Sequence, residues 1–180
     1  MTVSDPVTRD LLAVFEDVRS RLFARLEGLT DAEYLWEPVP DCVTITPGAD
    51  GVFRVADLFP PQSPDVPDPV TTIAWRVWHI GNLCLRGYVI HFFEDVPALG
   101  DRHEWPGTAK EGLQELAEDW ERFTTRIAAL GDKRLLEPMG RGGDFGSERY
   151  LKLALHALDE VAHHGGEIGL LRDLYLREDA

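Results

Sequence analysis

The stretch His156-Ala-Leu-Asp-Glu160-Val-Ala-His163-His164-Gly-Gly-Glu167-Ile-Gly-Leu170 decides how the rest of the chain is read. On an α-helix, residues i and i+4 lie one above the other, so Glu160 and His164 share a face. Each residue advances the helix by about 100°, which brings His156 and Glu167 to within about 40° of Glu160. His163 lies about 100° off that face, toward packing or solvent. A face written His, Glu, His, Glu on a helix otherwise rich in Leu, Val and Ile suits a metal site inside a helical bundle.

Working outward, this helix runs from about Glu148 to Leu176, with Ser147 as its expected cap. Before it, residues 131–147 form a connection with Gly140-Arg-Gly-Gly-Asp144-Phe-Gly146 at its centre. These glycines follow no strand, so they do not make a phosphate-binding loop. A third helix follows Gly107-Thr108, with Leu113, Leu116, Trp120, Phe123 and Ile127 as its apolar stripe, and ends near Leu130. The second begins at Thr71 or Thr72 and runs to about Asp95, apolar nearly all round, with Pro97 and Gly100 after it. The first opens at Ser4-Asp5-Pro6 and carries Leu11, Leu12, Phe15, Val18, Leu22 and Leu26 to about Leu29. Leu29-Thr30-Asp31-Ala32-Glu33 ends it and offers a cap for a short extra turn.

Residues 37–70 break the pattern with Pro38, Pro40, Pro47, Pro60, Pro61, Pro64, Pro67 and Pro69. No long helix survives that density. Val43-Thr44-Ile45 and Val52-Phe53-Arg54-Val55, on either side of Pro47-Gly48-Ala49-Asp50-Gly51, suit a small hairpin. A segment this long is either a wall or lid over a site or a disordered or merely packed insertion. The expected architecture is all-α: one domain over residues 1–180, an up-down four-helix bundle with one long Pro-rich loop between helices 1 and 2.

The formal net charge of −14 repels phosphate backbones and anionic lipid. Nucleic acid and membrane surfaces are therefore excluded as partners, and a small-molecule substrate is expected. No apolar run is long enough to span a bilayer, and the N-terminus lacks the pattern of a secretory signal. Cys42 and Cys84 form no CxxC pair, which suits a reducing, cytoplasmic setting, with Cys84 read as a small buried hydrophobe. A homodimer is an open assembly state, on the frequency of two-fold assemblies alone.

Glu160 and His164 supply two ligands, and a third must come from another helix. His79 lies in Trp75-Arg-Val-Trp78-His79-Ile80-Gly81-Asn82, where a buried imidazole needs a partner. Metal ligation is one such partner and a hydrogen bond to a carboxylate is another. His79, Glu160 and His164 together would leave an open position, the pattern of a catalytic zinc. His156 and Glu167 would then orient the ligands. Glu160-x-x-His163 matches half of a di-iron carboxylate motif, but the chain holds no second Glu-x-x-His.

Trp78-His79-Ile80-Gly81-Asn82, taken with Glu160-Val-Ala-His163-His164-Gly-Gly-Glu167-Ile168, resembles the DinB/YfiT-like superfamily. That resemblance implies a four-helix bundle and a three-ligand divalent metal site, one ligand from the second helix and an i, i+4 pair from the fourth. Many members have His at all three positions, and this chain departs from them at Glu160. In that departure it is similar to the metal-binding domain of mycothiol-dependent maleylpyruvate isomerases. The ligands implied are His79, Glu160 and His164. Zinc is the metal implied first, with nickel or another divalent ion as alternatives. A low-molecular-weight thiol co-substrate is implied as well. The chain stops soon after its fourth helix, so the expectation is thiol S-transfer rather than isomerisation.

Two other readings use the same residues. Zinc hydroxide could act as nucleophile in a hydrolase, with Glu167 or His156 as base. Alternatively, the polar residues form a structural network in a non-enzymatic, stress-related bundle. Arg76, Arg86 and Arg172 could hold an anionic substrate group, although inter-helix ion pairs are the favoured reading.

Overall fold

Pro6 opens helix α1 (Pro6–Leu26) in the computed structural model, which describes residues 5–55, 69–93 and 103–178. Leu11, Phe15, Val18, Leu22 and Leu26 form its buried stripe, as their spacing requires. The capping is not the one expected. Asp5 holds the N-cap position, and its carbonyl accepts from Arg9 N–H at 3.1 Å, but its side chain does not cap its own helix. Instead, the N–H groups of Val7 and Thr8 donate to the Asp132 carboxylate at 3.2 and 2.8 Å. Asp132 N–H donates back to Asp5 Oδ1 at 2.9 Å. The exchange depends on Gly131, whose φ of 61° and ψ of 173° break helix α5 (Ala109–Leu135) and present Asp132 to α1. That conformation belongs to glycine. The third helix therefore does not end near Leu130 but resumes past a kink. Its Leu116, Trp120, Phe123 and Ile127 are buried, and Leu113 is half-buried.

The short turn is present as α2 (Asp31–Tyr34), where Glu33 N–H donates to Thr30 Oγ1 at 3.2 Å. The hairpin is present as β1 (Ile45–Pro47) and β2 (Phe53–Val55), antiparallel, with Thr46 opposite Arg54. Residues 103–105 extend it, through Val55 N–H to the His103 carbonyl at 2.9 Å and Trp105 N–H to the Phe53 carbonyl at 3.1 Å. Val43 pairs with residues 70–72 at the start of the second helix. The rest of the expected wall, residues 56–68, lies outside the described residues, as do Ser4, Asp95, Pro97 and Gly100.

The second helix is not uniformly α. It consists of α3 (Ile73–Trp78), a π segment (His79–Arg86) and α4 (Gly87–Phe92). Gly81 and Asn82, both weak helix formers, lie in the first turn of the π segment. A Cβ at Gly81 would come within 3.0 Å of the Trp105 ring, so the helix backbone runs close under that indole. The helix closes at Phe92, with Phe93 extended.

The last helix, α6 (Tyr150–Tyr175), starts after Arg149, two residues later than the expected Glu148, and Ser147 does not cap it. Ser147 instead closes a 3-10 turn, Gly143–Ser147. Tyr150 N–H finds its acceptor in the Glu137 carbonyl at 3.3 Å, so no side-chain cap is needed there. The fold is thus mostly helical, and its strand is confined, among the described residues, to β1 and β2 and a few isolated bridges. Helices α1, α5 and α6 and the π segment pack around one core. Phe15 meets Trp120 edge-on at 6.1 Å and lies 5.8 Å from Phe123. Trp78, Trp120 and Phe123 are among the largest fully buried side chains.

Candidate metal centre

His79 is the first residue of the π segment, at its junction with α3. A π turn inside an α-helix is rare and is frequent at functional sites. Across from it, α6 presents His156, Glu160 and His164 at i, i+4 and i+8. His79 Nε2 lies 3.2 Å from Glu160 Oε2, and His164 Nε2 lies 3.4 Å from the same oxygen. A donor atom from each of His79, Glu160 and His164 falls within 4.8 Å of the others. All three side chains are largely but not fully covered, at 18%, 25% and 15% exposure.

Glu160 is an unusual carboxylate. Its ionic partners among the described residues are imidazoles: His79, His164, and His156, whose Nε2 is 3.4 Å from Oε1. The contacts from His164 and then from His79 hold its carboxyl well below the usual carboxylate range. A half-buried anion with no Lys or Arg beside it invites a cation.

The tautomer of His164 sharpens this. Its Nδ1 is 2.6 Å from Glu167 Oε2 and 3.4 Å from Arg76 Nη1, and the shorter contact, to the carboxylate, favours the proton on Nδ1. Glu167 in turn pairs with Arg76. When the ring is neutral, Nε2 offers a lone pair, and that lone pair faces the Glu160 carboxylate. Two acceptors then point at one space. A proton or a metal ion resolves the conflict, and a carboxylate behind the ring is the usual support of a ligating histidine. A tetrahedral ion with bonds of about 2.0–2.1 Å holds its ligand atoms about 3.4 Å apart. The donor spacing, 3.2 and 3.4 Å, suits such an ion. His79 stacks on Trp75 with ring centroids 4.9 Å apart, which fixes its plane. Its Nδ1 is buried and finds no hydrogen-bond partner among the described residues, so none of them gives His79 the support that Glu167 gives His164.

A second group, His163, His164 and Glu167, also places donor atoms close together. It is the poorer cage: Glu167 is already compensated by Arg76, and His163 is 64% exposed. His163 thus faces solvent, as its position on the helix predicts.

A profile of the DinB superfamily matches residues 14–168, which is most of the chain and includes every residue of this cluster. The chain belongs to the DinB superfamily. No curated protein and no solved structure matches it. In this DinB-superfamily chain the expected site residues fall in three places. His79, Glu160 and His164 meet across two helices. His156 and Glu167 flank them, one against Glu160 and the other against His164. The three arginines make ion pairs: Arg76 with Glu167, Arg86 with Asp119 and Glu115, and Arg172 with Glu33.

Two neighbours were not foreseeable from spacing. The Tyr88 hydroxyl bonds His156 Nδ1, and Trp75 covers His79. In the sequence both read as ordinary members of an apolar helix, and only the chain's path assigns them to the site.

Proposed function

We propose that His79, Glu160 and His164 hold one divalent metal ion, with zinc first and nickel or another ion as alternatives. We propose further that the protein is an S-transferase for a low-molecular-weight thiol of the mycothiol type, acting on a small electrophile. The single observation that supports this most is the Glu167–His164 contact at 2.6 Å: with the proton on Nδ1 and the ring neutral, His164 Nε2 offers a lone pair beside Glu160. When bound, such an ion lowers the pKa of a coordinated thiol or water and acts as a Lewis acid.

This chain's own residues would do the rest. His79 and His164 contribute neutral donors, and Glu160 one negative charge. Glu167 and Arg76 hold the His164 ring in place. Trp75 shields one side from water. The nucleophilic sulfur would come from outside. Cys84 is 3% exposed, and burial pushes its thiol far up, which makes it inert. In the transfer the external thiol loses its proton, a carbon–sulfur bond forms, and the bond from that carbon to its leaving group breaks.

The same proposal includes one domain over residues 1–180 with the four long helices in up-down order, and a cytoplasmic setting. A metal-free reading also has an observation behind it: Arg76, Glu167, His164, Glu160 and His79 form a continuous polar chain without any ion. Elemental analysis of the purified protein separates the two readings. One zinc per chain is expected in the wild type, with none in His79→Ala or His164→Ala. Turnover of an electrophile should require added thiol and should vanish in His164→Ala. Turnover without thiol would point to hydrolysis instead. An absence of bound metal, together with no rise in melting temperature on adding zinc or nickel, would sink the metal reading.

A further inference from the structure

One cavity adjoins the cluster without belonging to it. It has a volume of about 210 Å³ and lies between α4, the 3-10 turn and the first turns of α6, lined by Tyr88, Phe92, Met139, Phe145, Leu153 and His156. We propose that it binds an uncharged, ring-sized apolar group, the part of the electrophile that carries no charge. This rests on the transferase reading for its purpose, but not for its physical basis.

The walls favour that class of ligand. They are almost wholly apolar, and a cavity of about 150 Å³ lined by such side chains already accepts benzene. Phe92 and Phe145 stand edge to face, with centroids 6.4 Å apart and planes at 84°. A ring entering beside them finds the geometry that aromatic groups prefer. The charged residues of the rim leave no unpaired charge for an ionic ligand. Lys152 Nζ lies 2.7 Å from Glu148 Oε1, one turn apart on the chain. Gly142, at φ 90°, lets the chain pass against Phe92, where a Cβ would collide with that ring. The glycine-rich connection is therefore shaped around this wall.

His156 links the cavity to the candidate centre. Tyr88 bonds His156 Nδ1, and His156 Nε2 stands 3.4 Å from Glu160 Oε1. His156 is thus shared: one ring nitrogen faces the cavity's tyrosine and the other faces the carboxylate. A group seated in the cavity would have its remaining atoms directed along α6 toward Glu160 and His164.

Binding of benzyl alcohol tests the assignment, followed by ligand-observed NMR, with benzoate as the charged comparator. Wild type should bind benzyl alcohol and discriminate against benzoate. Phe145→Ala should weaken benzyl alcohol by up to about tenfold, the loss of one partner ring. Leu153→Trp should fill the space and abolish binding. Phe145 is 63% exposed, so its variant keeps the test valid if Leu153→Trp does not fold. His79→Ala should bind the probe as the wild type does. No binding to wild type at tens of millimolar, a preference for benzoate, or unchanged affinity in Phe145→Ala and in a folded Leu153→Trp overturns the proposal. A wild type that carries metal but binds no probe condemns the cavity alone. A wild type that binds the probe but no metal condemns the metal reading alone.

Discussion

Glu160 stands where three imidazoles converge, and its charge sets the character of the site. A carboxylate in place of a third imidazole lowers the net charge around a bound ion. The ion would then be a weaker acid than one held by three neutral rings. Glu167 acts one step further out, through His164. Glu167→Gln removes the charge that holds the Nδ1 proton, so the ring becomes a poorer ligand. Competition with a chelator should show metal affinity falling by about 10–100-fold. An unchanged affinity would mean that Glu167 only pairs with Arg76. At this scale the sequence was informative in one direction only. The spacing of Glu160 and His164 fixes their common face wherever the helix lies. The meeting with His79, more than eighty positions away, needs the packed helices as well. Tyr88 and Trp75 carry no mark that sets them apart from core aromatics.

Among the elements, α1 and α5 are tied by an exchange that neither sequence segment shows alone. Asp132 accepts from two N–H groups at the start of α1, and its own N–H donates to Asp5. Asp132→Ala leaves those N–H groups to water and should lower the melting temperature. Asp5→Ala should cost less. Together the two should cost less than their sum, because each contact helps to place the other. Strict additivity would show that the two contacts are independent. The helix periods were legible because apolar residues at steps of three and four leave little choice of face. The kink at Gly131 and the π segment were not, because a lone glycine inside a helical pattern has several meanings. The start of α6 was misplaced for a related reason: a backbone carbonyl, that of Glu137, served where a side-chain cap was expected.

For the molecule as a whole, the notable charge is Asp119. It is fully buried between Arg86 and Arg122, and its Oδ2 has no hydrogen-bond partner among the described residues. Burial raises its carboxyl from 3.8 to about 6, against the opposing pull of Arg86. Burial lowers the Arg86 guanidinium, yet contacts with Asp119 and Glu115 more than offset it. The pair is thus favourable to the cation and costly to the anion, as a carboxylate with one unpartnered oxygen should be. The folded state holds this proton more tightly than the unfolded one. Between about pH 4 and 6 the native protein binds the extra proton, so this residue's contribution to stability falls as pH rises through that window. Comparison with Asp119→Asn isolates it. The stability difference should shift toward the wild type by up to about 3 kcal/mol as pH drops from 7 to 4. A difference that is flat with pH would show that the arginines hold the carboxyl near its ordinary value.

The π segment bears on how the two halves of the site come to share a face. From residue 79 to residue 88 is nine steps, and at about 100° each an α-helix would carry Tyr88 half a turn away from His79. In the protein both reach the same stripe of α6, His79 at Glu160 and Tyr88 at His156. The wider turns of His79–Arg86 advance less per residue and remove most of that half turn. Underwinding acts here as a phase correction. It aligns the cavity with the candidate ligands along one edge, where a regular helix would have left them back to back.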